Sequence, residues 1–514
     1  MPALAAIDLQ QLPRDVDLLL SVIGELHHQY STILESLHQQ LQNLRRLHFG
    51  ATSEKLSGQP DLFVHTESLP VPPPDLIDVR YQRQRKGRPQ LPKDLPRERV
   101  EYDLSAAEKA QFDRLERIGE EVSETLEFTP AQLTVIEHVR AKYACHKDGE
   151  STIRTAFAQP SPLPKSNAGA GLLAQILVAT FADHLPLNRQ EMIFRRHGVE
   201  LPRSTLCEWK LAAGELLAVL RAPLIAHTLA APRLHSDDTT MPLLEGGRGR
   251  TKTARMWGYL GAGARQDATG AWVDHPRSVV FEFTDSREGK YPARFLRNYQ
   301  GYLQADAYSA YDAIYRAGKI IEVGCFAHCR RKFFEVAKTQ KTPGLAAEGV
   351  GWIAKLYRIE ATIRDKPPDE KLQVRQAEAV PVLADFRRWL EGHYPTLLPQ
   401  GALGEAFGYA LNHWPALTRY TESGILVPDN NLLEAAMRPI AMGRKAYLFA
   451  GAERGGHVAA TLYSLLGTCK LHGIEPYAYL KDVLRRLPGQ RLDRLAELLP
   501  FNWKPGRLSE ADRR

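Results

Sequence analysis

The feature that most constrains the fold is a change of hydrophobic period at residue 233. Upstream, apolar residues recur at helical spacing, whereas from 233 to 324 they form short runs typical of strands. Three runs follow one another through glycine-rich turns, and two more are separated by short helical segments. The predicted strands are residues 233–236, 256–260, 278–283, 301–305 and 320–324. This succession predicts a mixed sheet in an α/β domain.

Two acids follow predicted strands of this sheet. Asp237 lies at the end of the first strand and Asp306 at the end of the fourth. A ribonuclease-H-like strand order places those two strands side by side, which would bring the two carboxylates together. Glu434, on a later predicted helix, could complete the site. Asp238 should point away from Asp237, because successive side chains of a strand alternate between faces.

Three carboxylates of this kind suit a hard divalent cation. Oxygen ligands with open coordination positions favour Mg²⁺ or Mn²⁺. Two such ions about 4 Å apart would activate a water or a 3′-hydroxyl and stabilise the leaving oxygen of a phosphodiester. We therefore expect Asp237, Asp306 and Glu434 to be both the catalytic and the metal-binding residues.

Cationic side chains lie near these acids in sequence. Arg can bind a phosphate with two parallel hydrogen bonds, while Lys acts as a point charge. Surface ion pairing is the alternative role for each of them. Asp429 is expected to cap the helix that carries Glu434. The candidate DNA-contacting residues of this region are Arg330, Arg331, Lys332, Arg438, Arg444 and Lys445.

The net charge of +7 is concentrated in one segment. Eight basic and two acidic residues lie between Val79 and Arg99, among them Arg85, Lys86 and Arg88. Such a block is typical of a flexible arm that binds nucleic acid, and a solvated linker is the alternative. Upstream, residues 18–48 show apolar spacing of three and four, which predicts a coiled coil for self-association or a helix packed on its own domain.

Residues 171–220 are strongly helical in pattern. One predicted helix ends at Gly198, a good position for a left-handed cap, and the next opens after Pro202 with Ser204 able to cap it. Arg203 is a candidate DNA contact at that start. This outline suits a helix-turn-helix, and packing of three helices without DNA is an equal alternative.

Composition excludes several classes of protein. No apolar run approaches the roughly 18 residues of a membrane span, and no signal-peptide pattern is present. Five cysteines without a Cys-x-x-Cys pair do not make a disulfide framework, which favours a reducing cytoplasm. No Walker-type lysine motif and no serine or cysteine hydrolase signature occurs.

Several segments in order resemble the signatures of DDE transposases of the insertion-sequence-66 family, in particular the large transposase subunit. They are residues 49–56, 185–190, 235–239, 301–308, 325–333, 429–445 and 498–503. By that resemblance Asp237, Asp306 and Glu434 match the catalytic triad, and the fold implied is ribonuclease-H-like. The implied activity is metal-dependent cutting and joining of the ends of a mobile DNA element. Implied partners are the element ends, target DNA and accessory proteins, in a bacterial cytoplasm near the nucleoid.

The chain departs from this family in one module. The family usually carries a zinc-finger-like module with an early cysteine pair, and residues 100–150 lack that pair. Structural zinc generally needs four Cys or His ligands. We therefore expect a degenerate module without zinc.

The predicted organisation is multidomain, with an α/β catalytic core interrupted by a helical insertion. The parts are a coiled-coil helix (1–56), a basic proline-containing linker (57–99), the small module (100–150), a helical DNA-binding region (165–225), the catalytic domain (230–335 and 425–485), the insertion (336–424) and a tail (486–514). The competing functions are a catalytically inactive DNA-binding regulator and a nuclease that hydrolyses without joining.

Overall fold

The computed structural model describes residues 133, 135–136, 142–147, 150–155, 161–164, 166–244, 250–340 and 342–505 of the 514-residue chain. For residues 142–147 and 150–155 it describes the backbone alone. The predicted coiled coil (1–56) and basic linker (57–99), with Arg85, Lys86 and Arg88, lie outside the described residues. So does most of the small module at 100–150. These predictions stay predictions.

The first described elements are two antiparallel strands, β1 (Lys142–Lys147) and β2 (Glu150–Thr155). They pair from Lys142 opposite Thr155 to Lys147 opposite Glu150. The pair of strands thus continues past residue 150, where the sequence-based boundary of the small module lies.

A helical layer follows, and its four helices are α1 (Ala170–Phe181), α2 (Leu187–Arg196), α3 (Arg203–Leu217) and α4 (Arg221–Leu229). The end of α2 has the predicted glycine cap. Gly198 has a φ of 79°, and its N–H donates to the carbonyl of Arg195. The N–H of Val199 donates to the carbonyl of Phe194. Together these bonds form the Schellman arrangement, which a left-handed glycine permits.

The start of α3 differs from the prediction. The helix begins at Arg203, directly after Pro202, and no side chain caps it. A capping side chain must come from the residue before the first helical turn, and Ser204 lies inside that turn. The predicted Ser204 cap is therefore wrong. Ile176, Phe194 and Leu206 form a small buried cluster that joins α1, α2 and α3.

One described helical stretch, Arg203–Leu229, could cross a membrane by length and composition alone. A 3-10 turn at Ala218–Leu220 divides it, and Leu206, Leu217 and Leu224 are buried in the helical layer. A core helix of a globular domain meets the same criterion, so the stretch is a weak indication of a membrane span.

The predicted mixed sheet is present. Its region contains β3 (Arg233–Leu244), β4 (Thr251–Ala262), β5 (Ala264–Gln266), β6 (Trp272–Asp274), β7 (Ser278–Thr284), α5 (Lys290–Leu296), β8 (Gly301–Gln304), α6 (Asp312–Arg316) and β9 (Ile320–Val323). Five strands pair in the order β7-β4-β3-β8-β9, and β5 and β6 form a separate hairpin. Pairing is antiparallel among β7, β4 and β3 and parallel among β3, β8 and β9. The first and fourth strands of the sheet are therefore neighbours, as the sequence predicts.

A helical insertion follows β9, and its helices are α7 (Phe326–Ala337), α8 (Leu345–Thr362), α9 (Pro368–Val374), α10 (Val380–His393), α11 (Ala402–Asn412) and α12 (Trp414–Thr418). It has a hydrophobic core of its own, which includes Phe333, Ile353, Phe386 and Phe407. Arg375, buried in a π-turn between α9 and α10, donates from Nε and Nη2 to the carboxylate of Glu360 at 2.8 and 2.7 Å. This bidentate pair ties α8 to the start of α10.

Three further helices complete the core: α13 (Asn431–Tyr447), α14 (Glu453–Leu471) and α15 (Pro476–Arg486). Leu433 and Ile440 of α13 pack with Val458 of α14 and Phe281 of β7 in the largest hydrophobic cluster. The opposite face of the sheet buries a second cluster that includes Trp257. Burial on both faces fixes which face each strand residue occupies.

Gly258 of β4 lies opposite Asp237 of β3 and permits a close approach of α13. A Cβ atom at this position would stand 3.0 Å from both Leu433 Cδ1 and Phe281 Cε1. Those distances are shorter than ordinary carbon contacts. The missing side chain therefore sets how closely the helix that carries Glu434 packs on the sheet.

Candidate active site

The three predicted acids lie on elements that pack together. Asp237 is in the middle of β3, Asp306 is the second residue after β8, and Glu434 is in the first turn of α13. β3 and β8 are parallel neighbours, with His235 opposite Gln304, so the chain positions of Asp237 and Asp306 correspond. α13 contacts β3. The prediction that Asp237 ends its strand is wrong, because β3 continues to Leu244 through its pairing with β4. The topology nevertheless places the three elements that carry the acids next to one another.

The acids share one electrostatic environment. Burial, and after it the negative charges of Asp306 and Glu434, together raise the pKa of Asp237 from its ordinary value to about 7. Burial also raises the pKa of Asp306, while the nearby guanidinium of Arg287 opposes this shift. A carboxyl that titrates near neutrality beside other carboxylates is typical of a functional site.

Cations stand beside two of the acids. Arg287 Nη2 lies 3.7 Å from Asp306 Oδ2. Arg331 Nη2 lies 3.6 Å from Glu434 Oε2, and His328 Nε2 lies 3.7 Å from Glu434 Oε1. Burial lowers the pKa of His328, which favours its neutral form. Asp306 and Glu434 are each held next to a positive charge, whereas Asp237 faces mainly the other acids.

Asp238 belongs to a different group of contacts. Its carboxylate accepts from Arg255 Nη1 at 2.9 Å and from Arg287 Nε at 2.8 Å, and its side chain is only 2% exposed. The backbone N–H of Asp238 donates to Asp237 Oδ1 at 2.7 Å. Gly258, opposite Asp237, faces Leu433 of α13, while Trp257, opposite Asp238, packs in the cluster on the other face. The two adjacent acids therefore serve opposite faces of β3.

A buried polar network positions the start of α13. The fully buried Asn430 precedes the helix, and its Oδ1 lies 2.8 Å from His235 Nδ1. Its Nδ2 donates to the carbonyl of Ser236 at 3.1 Å, so Oδ1 is the acceptor and His235 donates from Nδ1. The backbone N–H of Asn430 donates to Cys325 Sγ at 3.3 Å. Asn430 thereby joins α13 to β3 four residues before Glu434.

Asp429 acts near the predicted cap but not as the N-cap itself. Asn430 occupies that position, and Asp429 accepts from the N–H of Asn431 at 3.1 Å and from its Nδ2 at 2.9 Å. The carboxylate thus satisfies an N–H of the first turn from one residue further out.

Replacing Asn430 with Ala should destabilise the core strongly. The change leaves the N–H of His235 and the carbonyl of Ser236 buried without partners, at about 1–3 kcal/mol for each group. Thermal unfolding of the intact protein is the measurement, and its midpoint should fall by several degrees. Asn431→Ala is the matched control, because that half-exposed side chain donates only to Asp429 among the described residues. Equal midpoints for the two variants would contradict the role of Asn430.

The donor set fits a hard cation, although the site is not closed around one. Asp237, Asp306 and Glu434 offer carboxylate oxygens, the ligands that Mg²⁺ and Mn²⁺ prefer. Glu434 Oε1 is buried and has no hydrogen-bond partner in the described part of the chain. Within the same residues, no three His, Cys, Asp or Glu side chains stand close enough to hold an ion together. The three acids are therefore ligands of a suitable kind. The carboxylates of Asp306 and Glu434 each lie beside a neighbouring arginine side chain.

The predicted DNA contacts fall into three groups. Arg203, Arg331, Lys332 and Lys445 have exposed side chains. Arg330 is half-buried with its guanidinium 5.5 Å from the Phe334 ring centre, and Arg438 is also half-buried. Arg444 is committed to the sheet, since its Nη1 donates to Thr239 Oγ1 at 3.1 Å and to Thr240. Phosphate contacts by these residues stay predictions.

An open cleft of about 570 Å³ contains Asp306 in its lining. The lining also includes Arg287 and Tyr308, Arg331 and Lys332 of α7, and Tyr409 of α11. Lys332 Nζ lies 5.2 Å from the ring centre of Tyr409. Sequence reasoning missed Arg287, Tyr308 and Tyr409, because isolated residues in a loop and an insertion carry no periodic signal.

Comparison with known proteins is informative once this geometry is known. A family model described as "Transposase IS66 family" matches residues 165–458, more than half of the chain. The "IS66 C-terminal element" matches residues 464–501. The "zinc-finger binding domain of transposase IS66" matches residues 110–147, and "Transposase C of IS166 homeodomain" matches residues 36–100. The zinc-finger match contains Cys145 as its one cysteine, and our expectation that the module lacks zinc stays a prediction.

Curated relatives come from Sinorhizobium fredii (strain NBRC 101917 / NGR234). The uncharacterized protein y4jD is 34% identical over an alignment 528 residues long. The alignment covers 98% of this chain and 99% of the relative. The uncharacterized protein y4hP is 34% identical over 82% of this chain and 78% of its own length. The family match over most of the core and the full-length similarity to y4jD agree. The chain belongs to the IS66 transposase family.

Proposed function

We propose that this protein is a DDE transposase that cuts the ends of a mobile DNA element and joins them to a target. The observation that carries the proposal is the placement of Asp237, Asp306 and Glu434 on three elements that pack together. Burial, followed by the charges of Asp306 and Glu434, raises the pKa of Asp237. We further propose a ribonuclease-H-like core, supported by a strand order of 3-2-1-4-5 in sequence of appearance.

In this proposal each part of the site has a role. Asp237, Asp306 and Glu434 would hold Mg²⁺ or Mn²⁺, which activates the attacking oxygen and stabilises the leaving oxygen when bound. Asn430 fixes the start of α13 against β3, so that Glu434 faces the sheet. Arg331 and Lys332 present exposed positive charge at the adjoining cleft, where a DNA backbone would pass.

The remaining parts would bind and pair the DNA ends. We propose that α2 and α3 act as a helix-turn-helix, with Arg203 exposed at the start of the second helix. The basic segment at 79–99 would bind phosphates without sequence preference. Self-association through the predicted N-terminal coiled coil would bring two ends together, and accessory proteins of the element remain proposed partners.

Incubation of the protein with a labelled duplex from the element boundary and a supercoiled target plasmid tests this function. We expect a strand cut at the boundary and a labelled plasmid product in Mg²⁺ or Mn²⁺, and neither product in EDTA. Cleavage without joined product would identify a nuclease. Specific binding without cleavage in either metal would identify a DNA-binding regulator and overturn the proposal.

A further inference from the structure

Arg287 lies in the loop between β7 and α5 and is held from three sides. Its Nε donates to Asp238 Oδ1 at 2.8 Å, and its Nη2 stands 3.7 Å from Asp306 Oδ2. The guanidinium carbon is 3.8 Å from the ring centre of Tyr308. The hydroxyl of Tyr308 donates to the carbonyl of Arg287 at 2.9 Å. This loop arginine is therefore fixed in place beside a proposed catalytic acid.

Arg287 belongs to a balanced group of charges. The single carboxylate of Asp238 is shared by two guanidinium groups, those of Arg255 and Arg287. Arg287 also lies beside the carboxylate of Asp306, so the two acids balance the two arginines. Arg255 is the more buried partner, with 23% of its side chain exposed against 36% for Arg287. Arg287 is therefore the more accessible of the two guanidinium groups.

The guanidinium retains unused donors where the cleft opens. Of its five N–H groups, only Nε has a hydrogen-bonded acceptor among the described residues. Arg287 lines the cleft together with Asp306, Arg331 and Lys332. A planar, always charged group with paired donors matches the oxygens of a phosphate. Stacking on Tyr308 orients that plane without consuming a donor.

We propose that Arg287 is a substrate-contacting residue that binds a non-bridging oxygen of the scissile phosphodiester. This inference rests on the proposed transposase function and adds a specific contact to it. Asp238 and Tyr308 are then positioning residues, since they act through Arg287. Arg255 donates to the other oxygen of the Asp238 carboxylate.

A cycle of protein and DNA changes tests the contact. The probe is a boundary duplex whose scissile phosphate is replaced by an uncharged methylphosphonate, compared with the natural duplex. Affinity is measured by fluorescence anisotropy with Ca²⁺ in place of Mg²⁺. We expect Arg287→Ala to weaken binding of the natural duplex about tenfold, the scale of a charge-assisted hydrogen bond. On the methylphosphonate duplex, Arg287→Ala should cause no further loss.

Two more variants separate the contact from a structural effect. Arg287→Lys keeps the positive charge but lacks the paired N–H donors of a guanidinium group. Compared with Arg287→Ala, it should recover part of the affinity for the natural duplex alone. Arg255→Ala disturbs the same Asp238, and Arg255 is not among the described residues that line the cleft. It should leave the ratio of affinities for the two duplexes as in the wild type.

The outcomes are distinct. An equal loss on both duplexes for Arg287→Ala, or a changed ratio for Arg255→Ala as well, would overturn the contact while the transposase function stands. If the wild type failed to prefer the boundary duplex over a scrambled duplex, both the proposed function and this inference would fall. If Arg287→Ala does not fold, the same comparison with Arg287→Lys decides the matter, because a loss of phosphate sensitivity is still required.

Discussion

Asp306→Asn should reduce strand cleavage roughly a thousandfold or more, the scale at which removal of an essential catalytic group acts. The substitution keeps the shape of the side chain and removes the charge that a divalent cation requires. Arg287 loses its neighbouring anion, while its bond to Asp238 remains. Cleavage of a labelled boundary duplex in Mn²⁺ is the measurement.

Binding of the same duplex should stay within about twofold of the wild type or tighten, because a negative charge near DNA has been removed. Asp312→Asn is the matched control, since Asp312 is an exposed acid on the nearby α6. That control should cleave at the rate of the wild type. Full cleavage by Asp306→Asn would show that the site is elsewhere.

Asp237→Asn should stabilise the metal-free protein at pH 8 by roughly 4 kcal/mol. The folded pKa of about 7 exceeds the ordinary value of 3.8 by about three units, and each unit corresponds to about 1.4 kcal/mol. Below pH 3.8 the group is protonated in both the folded and the unfolded state. As pH rises from 3.8 to 7, only the unfolded chain releases the proton, so the free energy of unfolding falls.

The measurement is thermal unfolding in EDTA at pH 5 and pH 8. The unfolding midpoint of the variant should exceed that of the wild type at both pH values. The stability difference at pH 5 should be less than half of the difference at pH 8. The amide oxygen of Asn can still accept from the backbone N–H of Asp238. Added Mg²⁺ should raise the midpoint of the wild type at pH 8 and leave that of the variant nearly unchanged. A variant less stable than the wild type at pH 8 would refute the idea that the buried, charged carboxylate of Asp237 destabilises the folded protein.

The sequence predicts the parts of this molecule that follow regular periods. Strand runs gave the mixed sheet, and the adjacency of β3 and β8 followed from the order of strands and helices. The glycine cap at Gly198 was predictable because a left-handed residue after a helix favours glycine. The family resemblance suggested the three acids, and the elements that carry them pack together.

Local contacts that depend on tertiary packing were not predictable. Ser204 has the right chemistry for a cap, but the helix begins two residues too early for it to act. Arg444 has the spacing of a phosphate ligand, yet it donates to Thr239 and Thr240 of a strand more than 200 residues earlier. Contacts with Asp238 and Tyr308 position Arg287, and no local sequence pattern predicts these contacts. Tertiary hydrogen bonds decided the positions of Arg444 and Arg287.

The insertion has a consequence for the order in which the protein is made. Asp237 and Asp306 leave the ribosome before α8 to α12, and Glu434 follows them on α13. Until α13 and α14 emerge, one face of the sheet lacks the helices that cover it. A chain interrupted within the insertion therefore carries two of the three acids on an unfinished core. Under the proposed function, a copy that terminates within the insertion would lack Glu434 and would therefore not cut DNA.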